Sequence, residues 1–180
     1  GALLGVGGMG QVHLALDTWL GRQVAMKEVA LVADPEARRQ LRDRLRREAQ
    51  LAARLEHPAI VPIYDVDEAP DGSVFYVMRV VRGRSLAMAL AAGEVGGAQR
   101  DRWLRAMLAV IEAVGYAHHA GVVHRDLKPA NLMLGEFGEA QVLDWGLAAE
   151  VDGEGFAPSR GAGTRGYMSP EQERGEDVDA

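Results

Sequence analysis

A stretch in the second half of the chain restricts its possible folds and functions more than any other. It reads His-Arg-Asp-Leu-Lys-Pro-Ala-Asn over residues 124–131, and Asp-Trp-Gly follows at residues 144–146. Short apolar runs around these residues are typical of β-strands, so two carboxylates, an ammonium and an amide are predicted at strand ends. In phosphate chemistry Mg²⁺ is held by one or two carboxylates together with phosphate oxygens. The stretch therefore predicts metal-assisted phosphate chemistry.

The periodicity of apolar residues and the positions of glycine and proline predict short strands and three helices. The predicted strands lie at residues 12–16, 23–29, 60–64, 73–81, 122–123, 132–134 and 141–143. The predicted helices lie at residues 35–55, 85–91 and 98–120. Asp34 is the predicted N-cap of the first helix, with Pro35 at its first position.

A glycine-rich segment fits the pattern G-x-G-x-x-G-x-V, formed by Gly5, Gly7, Gly8, Gly10 and Val12. The same glycine spacing occurs in dinucleotide-dependent oxidoreductases, where a helix follows the glycines. Here apolar residues 12, 14 and 16 alternate as in a strand. This favours a hairpin whose glycines let the backbone approach a phosphate. A hairpin turn without function is the simpler alternative.

A lysine and a glutamate are predicted to pair between the second strand and the first helix. The two-residue strand period puts Lys27 and Ala25 on one face, which Val12 shares from the neighbouring strand. Glu48 lies on the apolar stripe of the helix, where a carboxylate is costly unless it is paired. Lys27 is the favoured partner. Arg44 or Arg47, at helical spacing from Glu48, is the alternative.

Composition excludes several classes of protein. The net charge of −6 argues against a nucleic-acid binder, and the absence of cysteine excludes disulfides and zinc–thiolate sites. No run of about 18 apolar residues occurs, so no membrane segment is expected within this chain. A cytoplasmic location is expected, which leaves open a membrane anchor elsewhere in the full-length protein. Only two of the 20 basic residues are lysines, Lys27 and Lys128, and both fall within the motifs above.

In their order and spacing these motifs resemble those of the eukaryotic-like, bacterial-type Ser/Thr protein kinases. The resemblance implies a two-lobed α+β fold: an N-lobe at residues 1–78 with an antiparallel sheet and one long helix, a hinge at 79–84, and a mainly helical C-lobe from 85 to 180. It covers the whole chain, which corresponds to a kinase domain truncated after the activation segment. The family implies ATP and Mg²⁺ as cofactors, protein substrates, and no nucleic acid.

The resemblance also implies a role for each matching residue. Asp126 accepts the substrate hydroxyl proton, Lys128 neutralises the γ-phosphate, and Thr164 hydrogen-bonds both. Asn131 and Asp144 are the implied Mg²⁺ ligands. Nucleotide contacts are implied for the glycine-rich segment and for Val12, Ala25, Lys27, Glu48, Met78, Arg79, Val81, Met133 and Asp144.

Three positions depart from the family pattern. Arg79 stands where an acid is frequent, Trp145 where phenylalanine is usual, and Ser169 where alanine is usual. The first two are expected to change the surface and the packing, respectively, without loss of function. Ser159 is the only hydroxyl between residues 146 and 163, and phosphorylation there is predicted to recruit Arg125; an unmodified loop residue is the alternative.

Two alternatives to an active kinase remain at this point. A nucleotide-binding pseudokinase would act as a binding module, although the residues that the resemblance implies for transfer are all present: Lys27, Glu48, Asp126, Lys128, Asn131 and Asp144. An incomplete, inactive kinase fragment would also carry every motif. Phosphate transfer separates both from an active enzyme.

Overall fold

A computed structural model describes residues 1–7, 10–29, 34–70, 72–151, 157 and 161–179. The chain forms two compact units. The first comprises Gly1–Arg54 and Pro62–Val80, and the second comprises Leu55–Val61 and Val81–Ala180. Gly8 and Ser159, for which roles are predicted above, lie outside the described residues.

The first unit is an antiparallel five-stranded sheet with one long helix, as predicted. Its strands are β1 (Leu3–Gly7), β2 (Gly10–Asp17), β3 (Arg22–Val29), β4 (Ile63–Glu68) and β5 (Val74–Arg79), in the spatial order β1-β2-β3-β5-β4. The helix α1 (Pro35–Ala53) contacts β3, β4 and β5. One buried apolar cluster of this unit comprises Val29, Leu45, Ala49, Val74 and Tyr76, with Leu41, Ile63 and Met78 packed against it. Because β2 follows the glycine-rich segment directly, the helix required by a dinucleotide-binding fold is not there.

The start of α1 follows from its first residues. The Asp34 carboxylate accepts hydrogen bonds from the backbone N–H groups of Glu36 and Ala37, at 3.4 and 3.0 Å. Pro35 occupies the first turn, where no N–H is needed. This cap fixes the beginning of the helix that carries Glu48.

We expect Asp34→Ala to lower the free energy of unfolding by about 1 kcal/mol, because two helix N–H groups lose their acceptor. Asp34→Asn is the matched control, since asparagine caps about as well as aspartate. Urea denaturation of the three proteins measures the effect. Equal losses for alanine and asparagine would show that the cap hydrogen bonds are not the cause.

The prediction of a strand at residues 60–64 was wrong at its start, because β4 begins only at Ile63. Residues 55–61 group with the second unit instead. The N–H of Val142 donates to the carbonyl of Ala59 at 2.7 Å, and the Gln141 side chain donates to the carbonyl of Pro58 at 2.8 Å. Ile60 forms an isolated parallel bridge with Val142. These contacts attach the segment to β9 and not to the five-stranded sheet.

The second unit contains more helix and only short strands. Its strands are β6 (Gly83–Ser85), β7 (Val122–Val123), β8 (Leu132–Gly135), β9 (Ala140–Val142) and β10 (Ala149–Glu150), and its helices are α2 (Leu86–Ala91), α3 (Arg100–His119) and α4 (Pro170–Arg174). Strands β6, β8 and β9 form one sheet, and β7 pairs with β10. Both sheets are antiparallel. None of the helices within the described residues is long and apolar enough to cross a membrane.

The sequence predicts that Trp103, Met107, Val110, Val114 and His118 form one stripe on α3, and the structure buries Trp103 and Val110 of these five. Its fully buried residues are Trp103, Ala106, Val110, Ala113 and Ala117. The predicted Met107, Val114 and His118 are only partly buried. Alanine side chains let the helix backbone lie close to β7 and β9, which α3 contacts. The prediction was therefore right for Trp103 and Val110, and it missed the three buried alanines.

Candidate active site

Three side chains of the second unit form a closed hydrogen-bonded network. The Lys128 Nζ atom donates to Asp126 Oδ2 at 2.7 Å and to Thr164 Oγ1 at 2.8 Å. The Thr164 hydroxyl donates to Asp126 Oδ1 at 2.6 Å. Both oxygens of the Asp126 carboxylate are therefore bound; Oδ2 also accepts from the Asn131 amide nitrogen at 3.5 Å, and Oδ1 retains a lone pair for a further donor. This network joins the predicted catalytic residues across 38 positions of sequence.

The loop between β7 and β8 carries Asp126, and His124 fixes its start. The Nδ1 atom of His124 accepts a hydrogen bond from the Asp126 N–H at 3.2 Å, and Nε2 lies 3.1 Å from the carbonyl of Leu143. The ring also packs on Trp145, with centroids 4.6 Å apart. Burial lowers the pKa of His124 below its ordinary value, which keeps the ring neutral, with Nδ1 free to accept.

Trp145 fits where the family pattern usually has phenylalanine. Its side chain is buried and contacts His124, as the expected packing adjustment requires. Its indole N–H finds no hydrogen-bond partner among the described residues. An unsatisfied buried donor costs about 1–3 kcal/mol, so this substitution carries a penalty that phenylalanine would avoid.

Asn131 and Asp144, the two predicted metal ligands, are held close through the backbone. The N–H of Leu143 donates to the carbonyl of Asn131 at 2.8 Å, next to the β8–β9 pair Leu132–Val142. The Asn131 amide nitrogen donates to the Asp126 carbonyl at 2.9 Å. That contact leaves the amide oxygen Oδ1 without a hydrogen bond among the described residues. It remains available as a hard oxygen ligand.

Backbone strain marks the same region. Among the described residues, Arg125 (φ 64°) and Asp144 (φ 58°) are the two non-glycine residues with positive φ. Such conformations cost of order 1–3 kcal/mol each and persist where the surroundings impose them. Arg125 is held by its Nε, which donates to the carbonyl of Leu147 at 2.6 Å. Arg125 directly precedes the predicted catalytic Asp126, and Asp144 is itself a predicted metal ligand.

These residues fit Mg²⁺ better than a metal that requires a complete protein cage. Within the described part of the chain, no group of three or more histidine, cysteine, aspartate or glutamate side chains could hold a metal ion. Mg²⁺ bound with a nucleotide needs only one or two carboxylates, because phosphate oxygens and water fill the other positions. Asp144 is an exposed carboxylate that directly follows Leu143, whose N–H binds the backbone carbonyl of Asn131, so one carboxylate and one amide come from neighbouring segments.

The first unit buries the predicted lysine–glutamate pair. Lys27 Nζ lies 2.7 Å from Glu48 Oε1, and the two residues are 7% and 3% exposed. The hydroxyl of Tyr76 donates to the same oxygen at 2.7 Å. Glu48 Oε2 is buried and has no hydrogen-bond partner among the described residues, so the alternative pairing of Glu48 with an arginine of α1 was wrong.

Tyr76 is a site residue that the sequence analysis missed. It pairs with Lys27 across β3 and β5, so both side chains lie on one face of the sheet. The available signal was its position two residues before Met78, which places it on the same face as that residue. Its hydroxyl orients the carboxylate that in turn orients Lys27.

We expect Tyr76→Phe to lower the free energy of unfolding by about 1–2 kcal/mol, because a buried carboxylate loses one of its two donors. Tyr64→Phe is the matched control, since it removes the hydroxyl of a partly exposed tyrosine on β4. Urea denaturation of both variants measures the difference. Equal stabilities of the two variants would show that the Glu48 contact does not stabilise this unit.

The glycine-rich segment forms the β1–β2 hairpin. Gly7 pairs with Gly10, and Gly5 pairs with Val12. At Gly10 a Cβ atom would lie 1.9 Å from the carbonyl oxygen of Glu28, so only glycine fits there. The hairpin geometry therefore accounts for the glycine at position 10.

The residues predicted to contact the adenine are distributed over both units. In the first, Val12 pairs with Lys27 and Ala25 pairs with Met78, so these four side chains share one face. Arg79 is exposed at the end of β5. In the second unit, Val81 is partly buried outside any strand, and Met133 is partly buried in β8.

The fold of the two units and the Asp126 network define the class of protein. The sequence profile of the protein kinase domain matches residues 1–179. The chain therefore belongs to the protein kinase domain family.

Three relatives from bacteria show the degree of similarity. A probable serine/threonine-protein kinase of Streptomyces coelicolor is 44% identical over 188 residues, covering 100% of this chain and 27% of the relative. A probable serine/threonine-protein kinase PknB of Bifidobacterium longum is 42% identical, covering 99% and 27%. The serine/threonine-protein kinase PknB of Mycolicibacterium smegmatis is 41% identical, covering 100% and 29%. The chain thus spans less than a third of the length of these relatives.

Proposed function

We propose that this chain is part of a serine/threonine-protein kinase that transfers the γ-phosphate of ATP to hydroxyl groups of protein substrates. The network of Asp126, Lys128 and Thr164 is the single observation that supports this function best. It places a carboxylate with spare acceptor capacity beside a fixed cation, at 2.7 Å, in a half-buried setting. A hydroxyl group on a substrate needs both an acceptor for its proton and a neutralising charge for the transferred phosphate.

The reaction assigns one task to each member of this network. Asp126 accepts the proton of the serine or threonine hydroxyl as that oxygen bonds to the γ-phosphorus. The bond from phosphorus to the β-phosphate oxygen breaks, and ADP leaves with the electron pair. Lys128 offsets the charge on the transferred group. Thr164 holds the Asp126 carboxylate and the Lys128 ammonium in register through its hydroxyl.

Asn131 and Asp144 are proposed to hold Mg²⁺. When bound, the ion would neutralise negative charge on the phosphate oxygens. The Asn131 amide is already oriented by its hydrogen bond to the Asp126 carbonyl, so it needs no rearrangement to present its oxygen. Asp144 supplies the negative charge that Asn131 lacks.

The first unit is proposed to hold the nucleotide. Lys27 would bind the α- and β-phosphates while Glu48 and Tyr76 keep its ammonium in place. Backbone groups of the glycine-rich hairpin, including Gly5, Gly7, Gly8 and Gly10, would approach the phosphates. Apolar contacts to the base are proposed for Val12, Ala25, Met78 and Met133, and backbone contacts for Arg79 and Val81 of the proposed hinge at 79–84.

Protein substrates and ATP–Mg²⁺ are the proposed partners, and no nucleic acid is expected to bind. We propose that the reaction takes place in the cytoplasm, where ATP is supplied. Phosphorylation of Ser159 with capture by Arg125 remains a proposal for regulation.

The test uses the full-length protein, ATP labelled at the γ-phosphate, and Mg²⁺. We expect labelled phosphate to appear on protein serine or threonine, and Lys27→Met to remove most of the transfer. Lys27→Met deletes the ammonium while keeping an unbranched side chain, and Met26→Leu on the same strand is the control. Nucleotide binding without any transfer would support a pseudokinase instead.

A further inference from the structure

Gln172 is a buried amide that none of the roles above uses. It lies in α4, immediately after Pro170 and Glu171, and is 6% exposed. Its Nε2 atom donates to the carbonyl of Arg125 at 2.8 Å and to the carbonyl of Ala162 at 2.9 Å. Its Oε1 atom accepts from the Ser169 N–H at 3.1 Å. One side chain thus joins three separate segments of the second unit.

The orientation of this amide follows from its partners. Carbonyl oxygens only accept hydrogen bonds, so the NH₂ group must face Arg125 and Ala162. Both of its hydrogens are then used. A glutamate at this position would keep the acceptor for Ser169 but would turn a charged oxygen toward two carbonyl oxygens.

The contact with Arg125 acts on the peptide group that precedes the proposed catalytic base. The carbonyl of Arg125 and the N–H of Asp126 belong to one planar peptide. Gln172 binds the carbonyl edge of that plane, and His124 Nδ1 binds the N–H edge at 3.2 Å. Hydrogen bonds on both edges fix the rotation of the plane, although Arg125 has a strained φ of 64°. The direction in which Asp126 leaves the backbone is fixed with it.

The contact with Ala162 acts on the segment that carries Thr164, which hydrogen-bonds the Asp126 carboxylate. Ala162 lies two residues before Thr164, whose hydroxyl donates to Asp126 Oδ1 at 2.6 Å. Between them, a Cβ atom at Gly163 would lie 3.0 Å from the carbonyl oxygen of Arg125, so the two backbones approach closely there. Gln172 therefore connects the two chain segments, at Arg125 and at Ala162, whose relative position the Thr164–Asp126 hydrogen bond requires.

We propose that Gln172 is a positioning residue for phosphate transfer, holding the Arg125–Asp126 peptide and the Ala162–Thr164 segment together through its two amide hydrogens. This inference rests on the proposed kinase function. The sequence indicates only part of this role. Ser169 and Gln172 have the spacing of a helix capping box, which predicts the Oε1 contact but not the two contacts of the amide nitrogen.

The test compares Gln172→Glu with Gln99→Glu in the full-length protein. The second variant makes the same chemical change at an exposed residue of the same unit. We expect Gln172→Glu to lower kcat by about tenfold or more, with the KM for ATP within about twofold, because a small misplacement of a catalytic group affects the transition state most. Gln99→Glu should change neither constant. A kcat for Gln172→Glu equal to that of the control would overturn the proposal.

A second comparison separates positioning from general destabilisation. If Gln172 acts through the Thr164–Asp126 bond, adding Gln172→Glu to Thr164→Val should lower kcat much less than it does in the wild-type background. Independent losses that multiply would contradict the proposal.

Hydrogen exchange provides a readout that does not depend on activity. In Gln172→Glu we expect faster exchange in a peptide covering residues 124–128, because the Asp126 N–H loses its fixed geometry. The β8–β9 hairpin should keep its protection. Uniform loss of protection in both would overturn the proposal. If the wild-type protein transfers no phosphate, the kinase function fails, and the exchange result alone decides whether Gln172 holds this peptide.

Discussion

Asp126→Asn is expected to lower kcat for phosphate transfer by about 10²–10⁴-fold, which is the usual contribution of a general base. The substitution keeps the size of the side chain and an oxygen that can accept from Thr164. It removes the negative charge that Lys128 contacts at 2.7 Å and the group that takes the substrate proton. Nucleotide binding should survive, because the proposed phosphate contacts of Lys27 lie in a different unit.

Initial-rate kinetics and a separate nucleotide titration measure the two quantities independently. Asp43→Asn is the matched control, because Asp43 is exposed on α1 and takes no part in the proposed site. Near-normal turnover of Asp126→Asn would remove the central residue of the mechanism. Loss of nucleotide binding and of turnover together would indicate unfolding instead of a catalytic effect.

Asp144→Ala is expected to weaken binding of ATP strongly in the presence of Mg²⁺ and only slightly in its absence. The proposed role of the carboxylate is exerted through the metal, whose charge is worth several kcal/mol in phosphate chemistry. A fall in kcat by about 10²-fold or more should accompany this loss.

Calorimetric titrations of ATP with and without Mg²⁺ test this difference directly. The metal-free titration of the same variant is the internal control, because it reports any general damage to the protein. Equal losses of affinity under both conditions would contradict a metal-binding role for Asp144.

The sequence was informative where a local pattern determines local structure. The alternation after the glycine-rich segment predicted β2, and Asp34 with Pro35 predicted the start of α1. The pairing of Lys27 with Glu48 could also be predicted, because a carboxylate on an apolar helix stripe needs a cation. Each of these predictions needed only a local feature: a two-residue alternation, a capping residue before proline, or a charge that requires a partner.

The sequence was less informative where bonds join distant parts of the chain. A strand is predicted to begin at residue 60, yet the carbonyl groups of Pro58 and Ala59 accept hydrogen bonds from β9, which lies about 80 positions away. The buried face of α3 includes three alanines beside Trp103 and Val110, and a periodicity weighted by large residues does not find the alanines. Tyr76 and Gln172 act through hydrogen bonds to partners that only the folded chain brings near.

The positions of backbone strain were equally beyond the sequence. The residue type of Arg125 does not indicate a positive φ, and aspartate adopts one more often than most residues without this marking Asp144 in particular. The strain becomes understandable only when the bonds of Arg125 to Leu147 and Gln172 are known. A catalytic motif can thus be identified from sequence before the geometry that makes it work.

The identity of the phosphorylated amino acid tests the central claim most directly. The full-length protein would be incubated with Mg²⁺ and γ-labelled ATP together with a protein substrate that offers serine, threonine and tyrosine. We expect mass spectrometry to find phosphate on serine and threonine, and none with Asp126→Asn. Phosphate on tyrosine alone, or no transfer by a protein that binds ATP, would contradict the assignment of a serine/threonine-protein kinase.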